Sequence, residues 1–103
     1  RINHIFNYVK DHFKEQITLE EIADLANMKV PSFCRYFKKT TKFTYTDFVN
    51  QYRVQYAKKL LIQDKNVTET CFESGFESLS YFNRIFKKWT GEAPSSFRKQ
   101  RLK

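Results

Sequence analysis

Apolar side chains recur three or four residues apart along most of this chain, which is the spacing of one face of an α-helix. The first stripe runs from Ile2 to Phe13 and predicts a helix from about Ile2 to Lys14. Strands have little support, because no convincing alternation of apolar and polar residues occurs and the chain has only two Gly and two Pro. The pattern therefore predicts an all-α fold.

Local signals at the helix ends divide the chain into about seven helices. Thr18 is placed as an N-cap, with Glu21 three residues later as in a capping box, and Asn27 suits a left-handed residue that ends the second helix. The predicted helices span about 2–14, 18–27, 31–41, 45–62, 67–74, 79–90 and 94–101. At ~1.5 Å per residue, the fourth would be roughly 27 Å long.

One sequence unit occurs twice. The string Phe-x-Arg-x-Phe-Lys-Lys stands at 33–39 and again at 82–88. The similarity extends upstream at an offset of 48, so that Ala23 matches Cys71 and the turn residue Asn27 matches Gly75. Each copy reads as a short helix, a turn and a second helix rich in bases. This is the layout of a helix-turn-helix, whose second helix enters the major groove of DNA.

The duplication gives the expected domain organisation. Residues 1–103 form a single DNA-binding domain with a first lobe at about 1–45, a linker helix at about 45–62 and a second lobe at about 64–103. The helix-turn-helix units cover about 18–41 and 67–90. One turn of DNA is ~34 Å, a distance that the linker helix and the width of its end contacts can match.

The positive charge of the chain favours a polyanion as its binding partner. The net charge is +8, and the segment from Lys29 to Lys42 carries five bases and no acid. From Arg84 to Lys103 there are seven bases and one acid, Glu92. Acids gather upstream of each basic helix, so the sequence predicts separate acidic and basic surfaces.

Essentially all of residues 1–103 resemble the DNA-binding domain of the AraC/XylS family of bacterial transcription regulators, and the second half is the most specific part of the resemblance. The residues that carry the resemblance are Gly75-Phe76-Glu77-Ser78, Tyr81-Phe82-Asn83-Arg84, Phe86-Lys87-Lys88, Gly91, Pro94 and Phe97-Arg98. The resemblance implies two homeodomain-like three-helix lobes whose recognition helices bind adjacent major grooves of double-stranded DNA. It also implies a cytoplasmic protein, RNA polymerase as a partner, and a sensor or dimerisation region upstream of Arg1.

Three residues depart from the family pattern. Thr70 stands where an aliphatic residue is usual, Asn27 replaces a frequent glycine, and Ala93 replaces an N-capping Thr or Ser before Pro94. Loss of that cap costs ~1 kcal/mol of helix stability. These departures concern local stability and not the surface that would face DNA.

Candidate DNA ligands fall into two groups. Side chains early in each recognition helix that point away from the Phe stripe are candidates to read bases, since Arg bridges guanine and Asn bridges adenine. They are Ser32, Cys34 and Arg35 in the first unit, with Tyr36 a further option, and Ser80, Asn83 and Arg84 in the second. The candidates to contact phosphate are Thr18, Lys29, Lys38, Lys39, Thr68, Lys87, Lys88 and Arg98.

Several of these residues allow another interpretation. Arg35 and Arg84 could pair with glutamates of the preceding helices instead of bases. The recognition-helix phenylalanines and Trp89 could stack on single-stranded nucleic acid, but their spacing favours a core. Tyr81 could face a groove or cover the helix crossing. Cys34 could sense oxidants if its pKa were lowered, although a small residue packed near DNA is the simpler interpretation.

Other classes of protein have weaker support. No His-centred triad, paired carboxylates, phosphate-binding Gly loop or metal-ligand set is apparent, so we expect no enzyme, no metal and no cofactor. No apolar run approaches the ~20 residues of a membrane span, and no signal-peptide pattern is visible. The main rival is a basic helical module that docks on acidic protein. The duplicated turn chemistry favours DNA, because protein docking does not require two equal helix-turn-helix spacings.

Overall fold

The computed structural model describes residues 1–101, and within them every regular element is a helix. The seven helices are α1 Ile2–His12, α2 Leu19–Leu25, α3 Val30–Thr41, α4 Tyr45–Ile62, α5 Val67–Glu73, α6 Leu79–Thr90 and α7 Pro94–Arg101. The predicted all-α fold is confirmed, with helix ends shifted by one or two residues. At the end of α1, a turn from His12 to Glu15 replaces the last predicted residues. Residues 102 and 103 of the predicted second lobe lie outside the described residues.

The chain divides into two compact units, which we call unit 1 (Arg1–Val49) and unit 2 (from Asn50 onward). The division falls inside α4, so the predicted linker helix contributes its first residues to unit 1 and the rest to unit 2. The row Phe48, Tyr52, Tyr56, Leu60 is mostly half-buried. The side of α4 that enters the core of unit 2 is instead the neighbouring stripe of Val54, Ala57 and Leu61.

Unit 1 has an aromatic core. Phe33 and Phe37 of α3 are fully buried, and Ile5 and Val9 of α1 and Ile22 and Ala23 of α2 are buried with them. Phe48 lies 5.2 Å from the Phe37 ring in an edge-to-face arrangement, which aromatic pairs prefer. Burial of this kind supplies most of the stability of a small unit.

Unit 2 repeats this design. Phe82 and Phe86 of α6 are fully buried, and Cys71 of α5 and Phe97 of α7 complete the cluster with the α4 stripe. Thr70, where an aliphatic residue was expected, is also fully buried. Its hydroxyl donates to the Asn66 carbonyl at 2.7 Å, so no buried polar group is left without a partner at this position.

The two helix-turn-helix turns share one geometry. The Met28 N–H donates to the Ala23 carbonyl at 2.9 Å, and the Phe76 N–H donates to the Cys71 carbonyl at 3.1 Å. A bond of this kind forms at the end of a helix when the residue before the donor has a left-handed backbone conformation. Asn27 with φ 57° takes that conformation in unit 1, as predicted, and Gly75 with φ 101° takes it in unit 2.

Candidate nucleic-acid interface

Helices α3 and α6 follow the two turns, and each buries one side while presenting the other to solvent. The buried sides hold the phenylalanine pairs, which excludes these four rings as stacking platforms for unpaired bases. All six candidate base readers are exposed: Ser32, Cys34, Arg35, Ser80, Asn83 and Arg84. The helical period thus separates core and surface residues as the sequence predicts, while the base-reading roles themselves stay predictions.

The start of α6 is held by side-chain hydrogen bonds. Ser78 is the N-cap, and its hydroxyl accepts from the Tyr81 N–H at 3.2 Å. The Ser80 hydroxyl lies 3.1 Å from the same Ser78 oxygen. Because an N-cap bond satisfies one of the free N–H groups of the first turn, α6 begins at a defined residue.

The Tyr81 side chain contacts Asn50 of α4 and Phe76, the residue that follows the turn between α5 and α6. Its hydroxyl accepts a hydrogen bond from Asn50 Nδ2 at 2.9 Å, and its ring centroid is 6.1 Å from that of Phe76. Tyr81 is half-buried. Of the two interpretations open from sequence, the structure therefore supports the one in which Tyr81 covers the helix crossing.

The two exposed arginines rest on different supports. The Arg84 guanidinium carbon lies 5.1 Å from the centroid of the Tyr81 ring, within cation–π range. The Arg35 Nη2 atom donates to the Ser32 hydroxyl at 3.5 Å. Neither arginine forms an ion pair with any residue in 1–101, so the alternative of a salt bridge to the upstream glutamates is not realised.

The start of α3 is built more simply. Its N-cap is Lys29, whose side chain makes no capping hydrogen bond, and Pro31 lies in the first turn, as predicted. Proline needs no N–H partner there. Lys29 is exposed.

The lysines at the ends of both recognition helices occupy exposed positions. Lys38 and Lys39 lie in the last turn of α3, and Lys87 and Lys88 lie in the last turn of α6. All four are exposed. Exposure of these side chains agrees with the predicted phosphate contacts without testing them.

The other phosphate candidates differ in their surroundings. Thr18 is exposed and is the N-cap of α2, as predicted, where its hydroxyl accepts from the Glu21 N–H at 3.1 Å. Thr68 is exposed in the first turn of α5, but the N-cap there is Asn66, which accepts from the Glu69 N–H at 2.8 Å. Asn66 was missed as a cap, although a Glu three residues later is the usual signal.

Arg98 is engaged inside unit 2. Its guanidinium donates to the Lys65 carbonyl at 3.0 Å and to the Asp64 carboxylate at 2.6 Å. These contacts hold the turn after α4, where Asp64 has a positive φ of 70°. These bonds use Nε and Nη2 of the guanidinium, and the phosphate contact predicted for Arg98 stays a prediction.

Charge is sorted within unit 2 as the sequence indicates. The hydrogen bond from Lys65 Nζ to Glu73, 2.6 Å long, raises the pKa of the Lys65 ammonium above its ordinary value. Glu69 lies 4.0 Å from the same ammonium. The acids of α5 thus lie beside Lys65.

The two cysteines differ in burial. Cys71 is fully buried, and burial raises the pKa of its thiol, which keeps the group protonated. Cys34 is exposed on α3. Within residues 1–101, no group of three or more His, Cys, Asp or Glu side chains is placed to hold a metal ion. None of the helices described is both long and apolar enough to cross a membrane.

Two helix-turn-helix units, each with a cationic exposed helix over an aromatic core, define a domain of the nucleic-acid-binding class. A family model described as a helix-turn-helix domain matches residues 22–100. The chain belongs to this family, in its AraC-type form, and it is the DNA-binding domain of a transcription regulator. The family is a class of DNA-binding domains and not an enzyme class.

Named relatives support this assignment. The chain is 36% identical over 100 residues to an uncharacterized HTH-type transcriptional regulator, YdeC, of Bacillus subtilis, covering 96% of the chain and 34% of that protein. It is 37% identical over 95 residues to the bifunctional transcriptional activator/DNA repair enzyme AdaA of the same species, covering 91% of the chain and 45% of AdaA. The chain thus spans between a third and a half of the length of these relatives.

Solved structures show the same fold. The DNA-binding domain of AdpA, a global transcriptional factor solved in complex with a target DNA, superposes with a TM-score of 0.88 at 26% identity, covering 96% of this chain and 90% of that one. A probable AraC family regulator from Rhodopseudomonas palustris has a TM-score of 0.88 at 22% identity, with 97% and 95% covered. Because the identity to the Rhodopseudomonas palustris protein is 22%, that likeness shows the fold alone.

Proposed function

We propose that this domain binds a specific double-stranded DNA sequence, with α3 and α6 each entering a major groove and the two grooves adjacent. The observation that carries the proposal is the duplicated surface, in which exposed Arg35 and Arg84 occupy equivalent positions above buried phenylalanines. The AdpA domain, which was solved with DNA, has the same fold. The domain is the output module of a bacterial regulator.

Each recognition helix has a division of labour. Arg35 and Arg84, with Ser32, Cys34, Ser80 and Asn83, contact base edges, since these side chains are exposed near the start of each helix. Lys38, Lys39, Lys87 and Lys88 contact phosphate from the last turns, and Lys29, Thr18 and Thr68 add backbone contacts at helix starts. Phosphate contacts supply affinity, and base contacts supply specificity.

The rest of the regulator is proposed by extension. Because the chain covers about a third of YdeC, we propose that the full protein has an additional region with a sensor or dimerisation role. We also propose that RNA polymerase is the partner of the DNA-bound regulator. We place the protein in the bacterial cytoplasm, on the chromosome. We assign no catalysis to this segment, although the name of AdaA includes a repair enzyme, because the match covers only 45% of AdaA.

The test begins with selection of bound duplexes from a randomised pool by the 103-residue chain. Affinities are then measured for the selected site and for each single-base variant. Arg84→Ala should cost about 1–3 kcal/mol at the selected site and remove the preference at one base pair. An Arg84→Ala chain that ranks all variants as the parent does would refute base reading by Arg84.

Lys87→Ala is the matched control from the same helix. It should weaken binding to all duplexes about equally and reduce the slope of log affinity against log salt by about 1. A parent chain whose DNA affinity hardly changes with salt would instead support the rival function, docking on an acidic protein surface.

A further inference from the structure

We propose that Asn50 is a positioning residue that sets the base preference of Arg84 through the Tyr81 side chain. The inference rests on the proposed function, in which Arg84 reads a base. Asn50 lies on α4, makes no part of the exposed surface, and is only 2% exposed. Its amide reaches Tyr81, which is 31 residues away in sequence.

Three contacts fix Tyr81. Its backbone N–H donates to the Ser78 hydroxyl at 3.2 Å, its ring packs on Phe76, and its hydroxyl accepts from Asn50 at 2.9 Å. The ring also packs against the apolar core of unit 2. The Asn50 bond is the contact that holds the hydroxyl at the far end of the ring, and it therefore limits tilting of the ring.

The fixed ring is the surface on which Arg84 lies. An exposed arginine has many rotamers, and ordering it costs conformational entropy when it binds. A guanidinium held 5.1 Å from the ring centroid is already restricted before DNA arrives. Restriction of this kind improves discrimination, since a bidentate contact to guanine tolerates little misplacement.

Unit 1 supplies an internal comparison. Arg35 occupies the position equivalent to Arg84, and Ser32 takes the place three residues earlier that Tyr81 holds in unit 2. The Ser32 hydroxyl is small, and its distance of 3.5 Å to Arg35 is at the limit of a hydrogen bond. Arg35 therefore lacks a counterpart of the Asn50 support, and changes at Asn50 should leave it unaffected.

The experiment uses three variants of the chain: Tyr81→Phe, which keeps the ring, Asn50→Leu, which keeps the volume of the side chain, and the double variant. Without DNA, the NMR order parameter of the Arg84 Nε–H group should fall in all three toward the value of Arg35. On DNA, the preference at the base pair that Arg84→Ala identifies should fall by about two- to tenfold, the size expected for one lost hydrogen bond. The double variant should match the single ones, because both remove the same contact.

A merely structural role gives a different result. It would lower affinity for every duplex in proportion, including random-sequence DNA, and that outcome overturns the inference. So does an unchanged order parameter of Arg84, or an unchanged preference at the base pair that Arg84 reads. If Arg84→Ala changes no base preference, the proposed function of Arg84 fails, and the order parameter alone decides whether Asn50 positions its side chain.

Discussion

Helices α3 and α6 each bury a phenylalanine pair with ring centroids 5.7 Å apart. Each helix also ends in the same way: the Thr41 hydroxyl donates to the Phe37 carbonyl at 2.9 Å, and the Thr90 hydroxyl donates to the Phe86 carbonyl at 2.8 Å. The two units are therefore alike in the packing of their recognition helices and in how those helices end.

The units differ where side chains support the exposed surface. The α6 helix has a capping serine, and its arginine rests on a tyrosine that α4 holds in place. The α3 helix has neither a side-chain cap nor an aromatic support for Arg35. One scaffold can therefore be duplicated with its core intact while the side-chain contacts of its exposed surface diverge. In unit 2 the arginine lies against an aromatic ring, and in unit 1 it lies beside a small serine.

The largest expected effect tests the shared core. Phe37→Ala and Phe86→Ala should each cost about 3–5 kcal/mol of unfolding free energy, because both side chains are fully buried and leave a cavity. Denaturant unfolding followed by circular dichroism measures both. The fluorescence of Trp89, the single tryptophan of the chain, reports on unit 2.

Phe72→Ala is the matched control, since this phenylalanine is 53% exposed. It should change the unfolding free energy by less than about 0.5 kcal/mol. If the unfolding free energies lost by Phe37→Ala and Phe86→Ala differed by more than about 2 kcal/mol, the width of the expected range, the two cores would not be equivalent.

A smaller effect tests the hydrogen bonds by which Arg98 holds the turn after α4 in unit 2. Arg98→Met keeps an unbranched apolar stem but removes the hydrogen bonds to Asp64 and Lys65. Because the Arg98 side chain is about one-third exposed, we discount these charge-assisted bonds to about 1–2 kcal/mol of unfolding free energy. If Arg98 also contacts phosphate, the slope of log affinity against log salt should fall by about 1 in this variant, and a slope at the parent value would contradict that contact. Lys99→Met, at an exposed neighbour, should leave stability unchanged.

Most of the fold could be predicted because its signals are local. The helical period, the Thr18 cap and the left-handed turn residue Asn27 each depend on residues within four positions of one another. The duplicated string also assigned Phe33 and Phe82 to the core, because each has a second phenylalanine four residues later, on the same face of the helix.

Contacts between distant residues could not be predicted. Arg98 meets a turn 33 and 34 residues away, and Asn50 meets Tyr81 across 31 residues, so no spacing rule indicates either pair. On α4 the aromatic row from Phe48 to Tyr56 was the more conspicuous pattern, yet the neighbouring stripe at Val54 and Ala57 is the one buried. Two apolar stripes on one helix leave the choice to tertiary packing.

The smallest effect concerns the residue that ends each recognition helix. Lys42 and Gly91 are both left-handed, with φ of 72° and 87°, so Lys42 carries a strain that glycine avoids. Lys42→Gly should stabilise the chain by about 0.5–1 kcal/mol, and Gly91→Ala should destabilise it by about 1 kcal/mol. A Cβ at Gly91 would meet nothing within 4 Å, so its cost is one of backbone conformation and not of packing. Lys42→Ala, which removes the charge but keeps the Cβ, should be near neutral in thermal unfolding. If Lys42→Ala stabilised the chain as much as Lys42→Gly, the lysine charge and not the left-handed backbone would distinguish the two helix ends.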